Sequence, residues 1–238
     1  MRILAIESSG TVASAALWED GKILGEKRGP FKVTHSETLM PMTAELLEEF
    51  KLKSEGINPC VIDYVAVSGG PGSFTGLRIG SATAKALGMV WNVPLVHVPT
   101  LDGMAFNFEG SGKIIVPLMD ARRGQVYTGV YTFAGEFTIL KEAAAMDAGE
   151  LMEELKRDFP EGRFIFLGDG AAPYAGKIAE SGISYEIAGE DKLYQSAASC
   201  AVLAAELIKR GKTIPADLEA PEYLRPSQAE RVRAEAGA

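Results

Sequence analysis

Histidine and cysteine are nearly missing from this chain of 238 residues, with two of each. Cys60 and Cys200 are too few for a disulfide framework or a structural zinc site, so buried free thiols are expected. The two histidines, His35 and His97, lie 62 positions apart and form no H-E-x-x-H, which speaks against metal hydrolysis. His97 falls inside an apolar strand, where a satisfied core position is the expected role. Positive charge is also short: 24 Lys and Arg face 32 Asp and Glu, a formal net charge of −8. That balance argues against an autonomous nucleic-acid binder, whose affinity rests mostly on phosphate neutralisation. Contact with RNA is therefore expected only through a partner. No apolar run approaches the roughly 20 residues of a membrane span. The start, "MRILAIESS", lacks the pattern of a secretion signal. A cytoplasmic protein without a membrane segment is expected.

Hydrophobic residues make up 47% of the chain, enough to bury a core without metals or disulfides. "RILAI" (2–6), "VASAALWED" (12–20) and "ILGEKR" (23–28) read as strands, with "DGK" (20–22) as a hairpin turn. A helix follows over about 36–53. "VIDYVAV" (61–67) is nearly continuous apolar, as a parallel strand buried on both faces would be. A helix over 74–91, a strand "PLVHV" (94–98) and a short helix in "TLDGMAFNF" (100–108) complete the first half. The polar break "EGSGK" (109–113) marks the expected lobe boundary. It separates an N-terminal lobe, 1–109, from a C-terminal lobe, 110–226, and a flexible tail, 227–238. The second half carries strands at 114–119, 126–133, 136–142 and 163–168, and helices at 147–157, 171–180 and 197–211. "AIESSGTVASAAL" (5–17) and "LMDARRGQVYTGVY" (118–131) share one layout: an apolar strand, an acid (Glu7, Asp120), a polar turn with Gly and a second strand. The repetition points to a duplicated α/β unit, the layout of actin-like, sugar-kinase-like folds.

"SGGPGSFTGLRIGSATAKAL" (68–87) is the most distinctive segment. As a P-loop it fails, because from Gly70 the next fitting glycine, Gly76, comes one residue late and no Lys-Ser or Lys-Thr follows. As a Rossmann turn it fails at Thr75. As a nucleophile elbow it fails because Pro71 and Thr75 flank Ser73 where glycines are required. What remains is packing: Gly76, Gly80, Ala84 and Gly88 recur every four residues and form one small-residue ridge on a helix. Such a ridge suits the close approach of another backbone, from the chain's own sheet or from a partner. Glycine costs about 1 kcal/mol per helix position relative to Ala, so a compensating contact is expected. Gly69 to Gly72 would also donate backbone N–H groups near a helix start, where an anion is welcome. In the helix at 36–53, Leu39, Met40, Met42, Leu46, Leu47 and Phe50 span an arc of about 160°, wider than the stripe of about 100° that one sheet demands. Either the helix has a broad core face or part of the arc meets a partner. Pro41 is tolerable if it lies within about the first turn.

"LAIESS", "HSETLMP" (35–41) and "GPGSFTGLRIG" (70–80), with "PEYLRPSQA" (221–229), resemble the TsaB (YeaZ) family, while about 110–215 matches only in layout. The resemblance implies an actin-like ATPase fold with a reduced second lobe. It further implies an accessory subunit that pairs with a TsaD paralogue, and works with TsaE- and TsaC-type proteins, in making N6-threonylcarbamoyladenosine (t6A) at position 37 of ANN-reading tRNAs. In the family the two helices of the first lobe form a bundle with those of TsaD. Leu39, Met40, Met42, Leu46, Leu47, Phe50, Gly76, Arg78, Gly80, Ala84 and Gly88 are thus expected at the partner interface. A homodimer is expected to be possible when the partner is absent. The metal-binding histidines of TsaD align with Thr100 and Met104, poor ligands, so no metal or cofactor is expected in this subunit. The metal and the ATP-derived threonylcarbamoyl-adenylate are expected on the TsaD and TsaC-type partners. Glu7 departs from the Asp usual in the family's first hairpin. Glu7, Ser8, Ser9, Gly70, Gly72, Ser73 and Asp120 would then mark a vestigial nucleotide site. The rival expectations are a small actin-like ATPase or kinase using Glu7 and Asp120, and a glycoprotease-like metallopeptidase.

Overall fold

A computed structural model describes residues 1–30, 34–52 and 61–225. Five strands form the first sheet: β1 (Arg2–Glu7), β2 (Ser14–Glu19), β3 (Lys22–Arg28), β4 (Tyr64–Gly70) and β5 (Leu95–Pro99), in the order β3-β2-β1-β4-β5. Five more form the second: β6 (Ile114–Asp120), β7 (Gln125–Phe133), β8 (Phe137–Asp147), β9 (Arg163–Leu167) and β10 (Ser184–Ile187), in the order β10-β9-β6-β7-β8. Read from the other edge, this is the same order. β6 takes the place of β1, β7 of β2 and β9 of β4, with the antiparallel and parallel pairings repeated. The echo between the two acid turns is therefore a duplication of architecture, and the chain has the two-lobed actin-like, ribonuclease H-like fold.

Helices sit between the strands: α1 (His35–Glu49) before β4, α2 (Phe74–Trp91) before β5 and α3 (Thr100–Ala105) after it. In the second half α4 (Ala148–Asp158), α5 (Ala175–Ser181), α6 (Glu190–Leu193) and α7 (Ala197–Lys209) follow. α2 keeps the bounds read from the sequence. Its start is fixed by Ser73, whose hydroxyl accepts from Gly76 N, and its end by Asn92 in the left-handed conformation. α4 and α7 are capped by Asp147 and Ser196 in the same manner. The β2–β3 turn has positive φ at both Asp20 and Gly21, the geometry that suits a tight hairpin. β4 runs on to Gly70 rather than stopping at 67, because Ser68 and Gly70 still pair with β5. Pro41 lies in the second turn of α1, beyond the first-turn position expected, since the helix begins at His35. β10 and α6, both short and exposed, had no counterpart in the sequence reading.

The inner strands β1, β2 and β4 of the first sheet are largely apolar on both faces because both are covered. Leu4, Ile6, Leu17, Val65 and Val67 pack under α1 and α2, with Leu39, Leu46 and Ala84. Ile3, Ala5, Trp18, Ala66 and Val98 pack against α7, with Cys200, Ala201 and Ala204. Val116, Leu118, Phe164 and Phe166 of the second sheet pack under α4 and α5. Its other face, with Ile115, Met119 and Tyr131, meets α3 through Leu101 and Met104. The layers thus run α1/α2, first sheet, α7/α3, second sheet, α4/α5. α7 belongs by sequence to the stretch 110–226 assigned to the second lobe. Its apolar face nevertheless lies on the first sheet, because the alanines of α7 fit against the small residues of β1, β2 and β4. After α7 the chain stays with the first lobe, where Ile214 pairs with the edge of β5 at Leu95.

Candidate functional site: the interlobe cleft and the two-helix face

The carboxyl ends of β1 and β6, and the turns that follow them, face each other across a cleft of 610 Å³. Ser9, Gly10 and Thr11 line one side, with Gly72, Ser73 and Thr75 at the start of α2. Met119, Asp120, Arg122, Tyr127 and Asp169 line the other. Strand ends at a central parallel strand are where open α/β folds place ligands.

The two echoing acids have different fates. Glu7 is 2% exposed and does not line the cleft. Its Oε1 accepts from Ser9 N at 2.6 Å and Ser9 Oγ at 2.5 Å, and its Oε2 accepts from Ser68 Oγ. Burial pushes its carboxyl above the usual carboxylate range, against the pull of these donors. Glu7 is therefore a brace inside the β1–β2 turn. Asp120 does face the cleft. It accepts from Arg122 N at 2.8 Å, and its own N–H donates to Asp169 Oδ1 at 3.1 Å. Asp169 is pushed up, first by burial and then by the charge of Asp120. The β6–β7 turn holds Arg122, Arg123 and Gly124 consecutively at positive φ. Asp169 was not singled out from the sequence; its signal is the "GDG" that ends β9 at the same level as the two acid turns.

The glycine segment is built for close approach, and the backbone that approaches is the chain's own. A Cβ on Gly76 would sit 2.1 Å from Ser8 O, one on Gly80 2.3 Å from Ser8 Oγ, and one on Gly72 2.6 Å from Ser9 O. Ser8 Oγ donates to Gly76 O at 2.8 Å, and Ser73 N donates to Ser9 O at 2.7 Å. Gly88 meets Leu95 and Ala216, and Ala84 is fully buried. The ridge expected at a partner interface thus faces the first sheet and the β1–β2 turn. The same holds for most of the α1 arc. Leu39, Met42 and Leu46 are buried, and Leu47 and Phe50 are half-buried against the same core. The arc is wide because α1 covers both β2 and β3 and also touches α2. Met40 and Arg78 alone among the expected interface residues are exposed.

The outward side of α2 presents a different row. Ala82, Ala86, Met89 and Val90 are exposed, with Ile79 half-buried at the edge, and Met89 and Val90 are each 63% exposed. Met40 and Ala44 extend the surface on α1. These residues recur at helical spacing as plainly as the inward ones, so periodicity alone left the two sides of α2 indistinguishable. His97 is half-buried and its Nδ1 lies 3.3 Å from Glu219 Oε2. Thr100 and Met104 are buried, and among the described residues no three His, Cys, Asp or Glu side chains converge as metal ligands. Cys200 is buried, and burial pushes its thiol pKa up. Cys60 and the tail 227–238 lie outside the described residues.

Fold and cleft together define a two-lobed protein of the actin-like class. Residues 32–232 match the family model described as TsaD, tRNA N6-adenosine threonylcarbamoyltransferase. The chain is 31% identical over 235 residues to the tRNA threonylcarbamoyladenosine biosynthesis protein TsaB of Bacillus subtilis, covering 97% of this chain and 96% of that one. It is 30% identical to the Escherichia coli TsaB, covering 94% and 95%. A Pseudomonas aeruginosa structure described as similar to peptidase YEAZ superposes with a TM-score of 0.78 at 25% identity, covering 94% of this chain and 99% of that one. The chain belongs to the TsaB (YeaZ) family, within the wider TsaD-type group.

Proposed function

We propose that this protein is the accessory, non-catalytic partner of a TsaD-type paralogue in the synthesis of t6A on tRNA. It pairs through the outward row of α2 and the neighbouring residues of α1, and completes a complex whose chemistry occurs on the paralogue. The observation that carries the pairing is the exposed apolar face of Ala82, Ala86, Met89, Val90 and Met40. Burial of such a face yields about 25 cal/mol per Å² of apolar area removed from water. The relatives' names carry the pathway. The metal and the threonylcarbamoyl-adenylate belong to the TsaD- and TsaC-type proteins in this reading, since Thr100 and Met104 stand where ligands would be needed. A TsaE-type ATPase and tRNA join through the complex, and the same face allows a homodimer.

Mixing the purified protein with the TsaD-type paralogue of its organism should give a heterodimer by light scattering at micromolar concentration. Ala86→Arg with Val90→Asp should abolish it while the melting temperature stays unchanged. No complex, or normal t6A levels in cells lacking the protein, would end the proposal. The cleft favours one second reading, a nucleotide bound between the lobes near Thr11, whose buried Oγ1 has no partner among the described residues. Unaided ATP turnover lost on Asp120→Ala would support that reading.

A further inference from the structure

We infer that residues 219–225 are a built-in strap that ties the two lobes together across the cleft, doing with the protein's own chain what a bound ligand does in other two-lobed folds. The segment reaches the cleft along the outer edge of the first sheet, after the Ile214–Leu95 pairing and the short 3-10 turn Ala216–Leu218 beside α2. Its anchor on the first lobe is dense. The Glu219 side chain is buried against His97, and Lys85 Nζ donates to Glu219 O at 3.0 Å. Glu222 N donates to Gly69 O at 2.7 Å. Gly70 is a glycine at positive φ, and any Cβ there would lie 2.1 Å from Glu222 O. The Tyr223 ring lies on Phe74 with centroids 4.6 Å apart, and Arg78 Nε donates to its hydroxyl at 3.1 Å while also covering the Phe74 ring.

The far end is lighter. The Arg225 guanidinium crosses to the β6–β7 turn, donating to Ala121 O at 3.4 Å and to Gln125 Oε1. Glu222, Tyr223, Leu224 and Arg225 all line the cleft, so the tie runs along its mouth. Two-lobed proteins open and close by hinge motion about such clefts. Among the described residues, many contacts fix the strap to one lobe, and the hydrogen bonds of one side chain fix it to the other. Release therefore occurs at Arg225, with the strap left on the first lobe. Arg78 links the strap to the outer surface of α2, so an event on that helix face reaches the lock through the Tyr223 hydroxyl.

The test measures the distance between spin labels at Lys22→Cys and Glu153→Cys in full-length protein carrying Cys60→Ser. With Arg225 intact the distribution is expected to be narrow. Arg225→Ala is expected to widen it at least about twofold, while amide exchange at Glu222 stays protected. If Arg225→Ala does not fold, Gln125→Ala removes the other half of the tie and is read by the same criterion. An equally narrow distribution in the folded variant overturns the inference, as does loss of Glu222 protection, which would place the weak end of the strap on the first lobe.

Discussion

Gly76→Ala separates an inward ridge from an outward one. At an exposed helix position this substitution stabilises by about 1 kcal/mol, because Ala loses less backbone freedom than Gly. Here the added methyl would lie 2.1 Å from Ser8 O, more than 1 Å inside the 3.4 Å at which ordinary contact begins. The atom it meets is backbone, so no rotamer change relieves the overlap; α2 and the β1–β2 turn must separate. Overpacking of this kind costs about 1–3 kcal/mol. The separation also breaks the 2.8 Å hydrogen bond from Ser8 Oγ to Gly76 O, worth about 1 kcal/mol. After the propensity gain, the net loss is about 1–3 kcal/mol. At about 2–4 °C per kcal/mol for a chain of this size, the melting temperature should fall by about 2–12 °C. Gly176 in α5 is the internal control, because a Cβ there meets nothing within 4 Å. Gly176→Ala should hold or raise the melting temperature. Thermal and urea melts of the two variants give the answer, and a Gly76→Ala protein at least as stable as the parent would refute the inward packing.

Glu7→Gln should gain stability relative to the parent as pH rises. Burial raises the folded-state pKa above the unfolded value, so the parent folds with proton uptake and loses stability from about pH 4.5 upward, a term the amide lacks. Urea melts at pH 4 and pH 8 check this; a parent-minus-variant difference independent of pH refutes it. His97→Gln should show the same direction of dependence in a higher pH window. The hydrogen bond to Glu219 raises the His97 pKa, with Glu222 adding a smaller pull. The stabilisation from His97 is thus fully present below about pH 6.5 and fades as pH climbs through the raised value. The variant should be least stable relative to the parent at pH 6 and approach it by pH 9, as thermal melts in matched buffers would read.

Some of this molecule is legible without coordinates. The α2 bounds follow from a Ser cap, an unbroken helical stretch and an Asn stop, all local features. The β4 run announces burial on both faces by its continuous apolar character, and the two acid turns announce the duplication that the sheet orders repeat. Local sequence also fixed which residues share a face: Gly76, Gly80, Ala84 and Gly88 on one side of α2, Ala82, Ala86 and Met89 on the other. Tertiary structure alone decided which of those faces turns inward, that Glu7 braces a turn while Asp120 opens onto a cleft, and that α7 returns to the first sheet. It alone brought Tyr223 and Arg225 to Phe74 and Gln125, about 100 residues or more away in the chain. The reason is physical: periodicity and capping are set by neighbours within a turn or two, whereas the occupant of a face is chosen by packing among segments whose separation the chain does not encode locally.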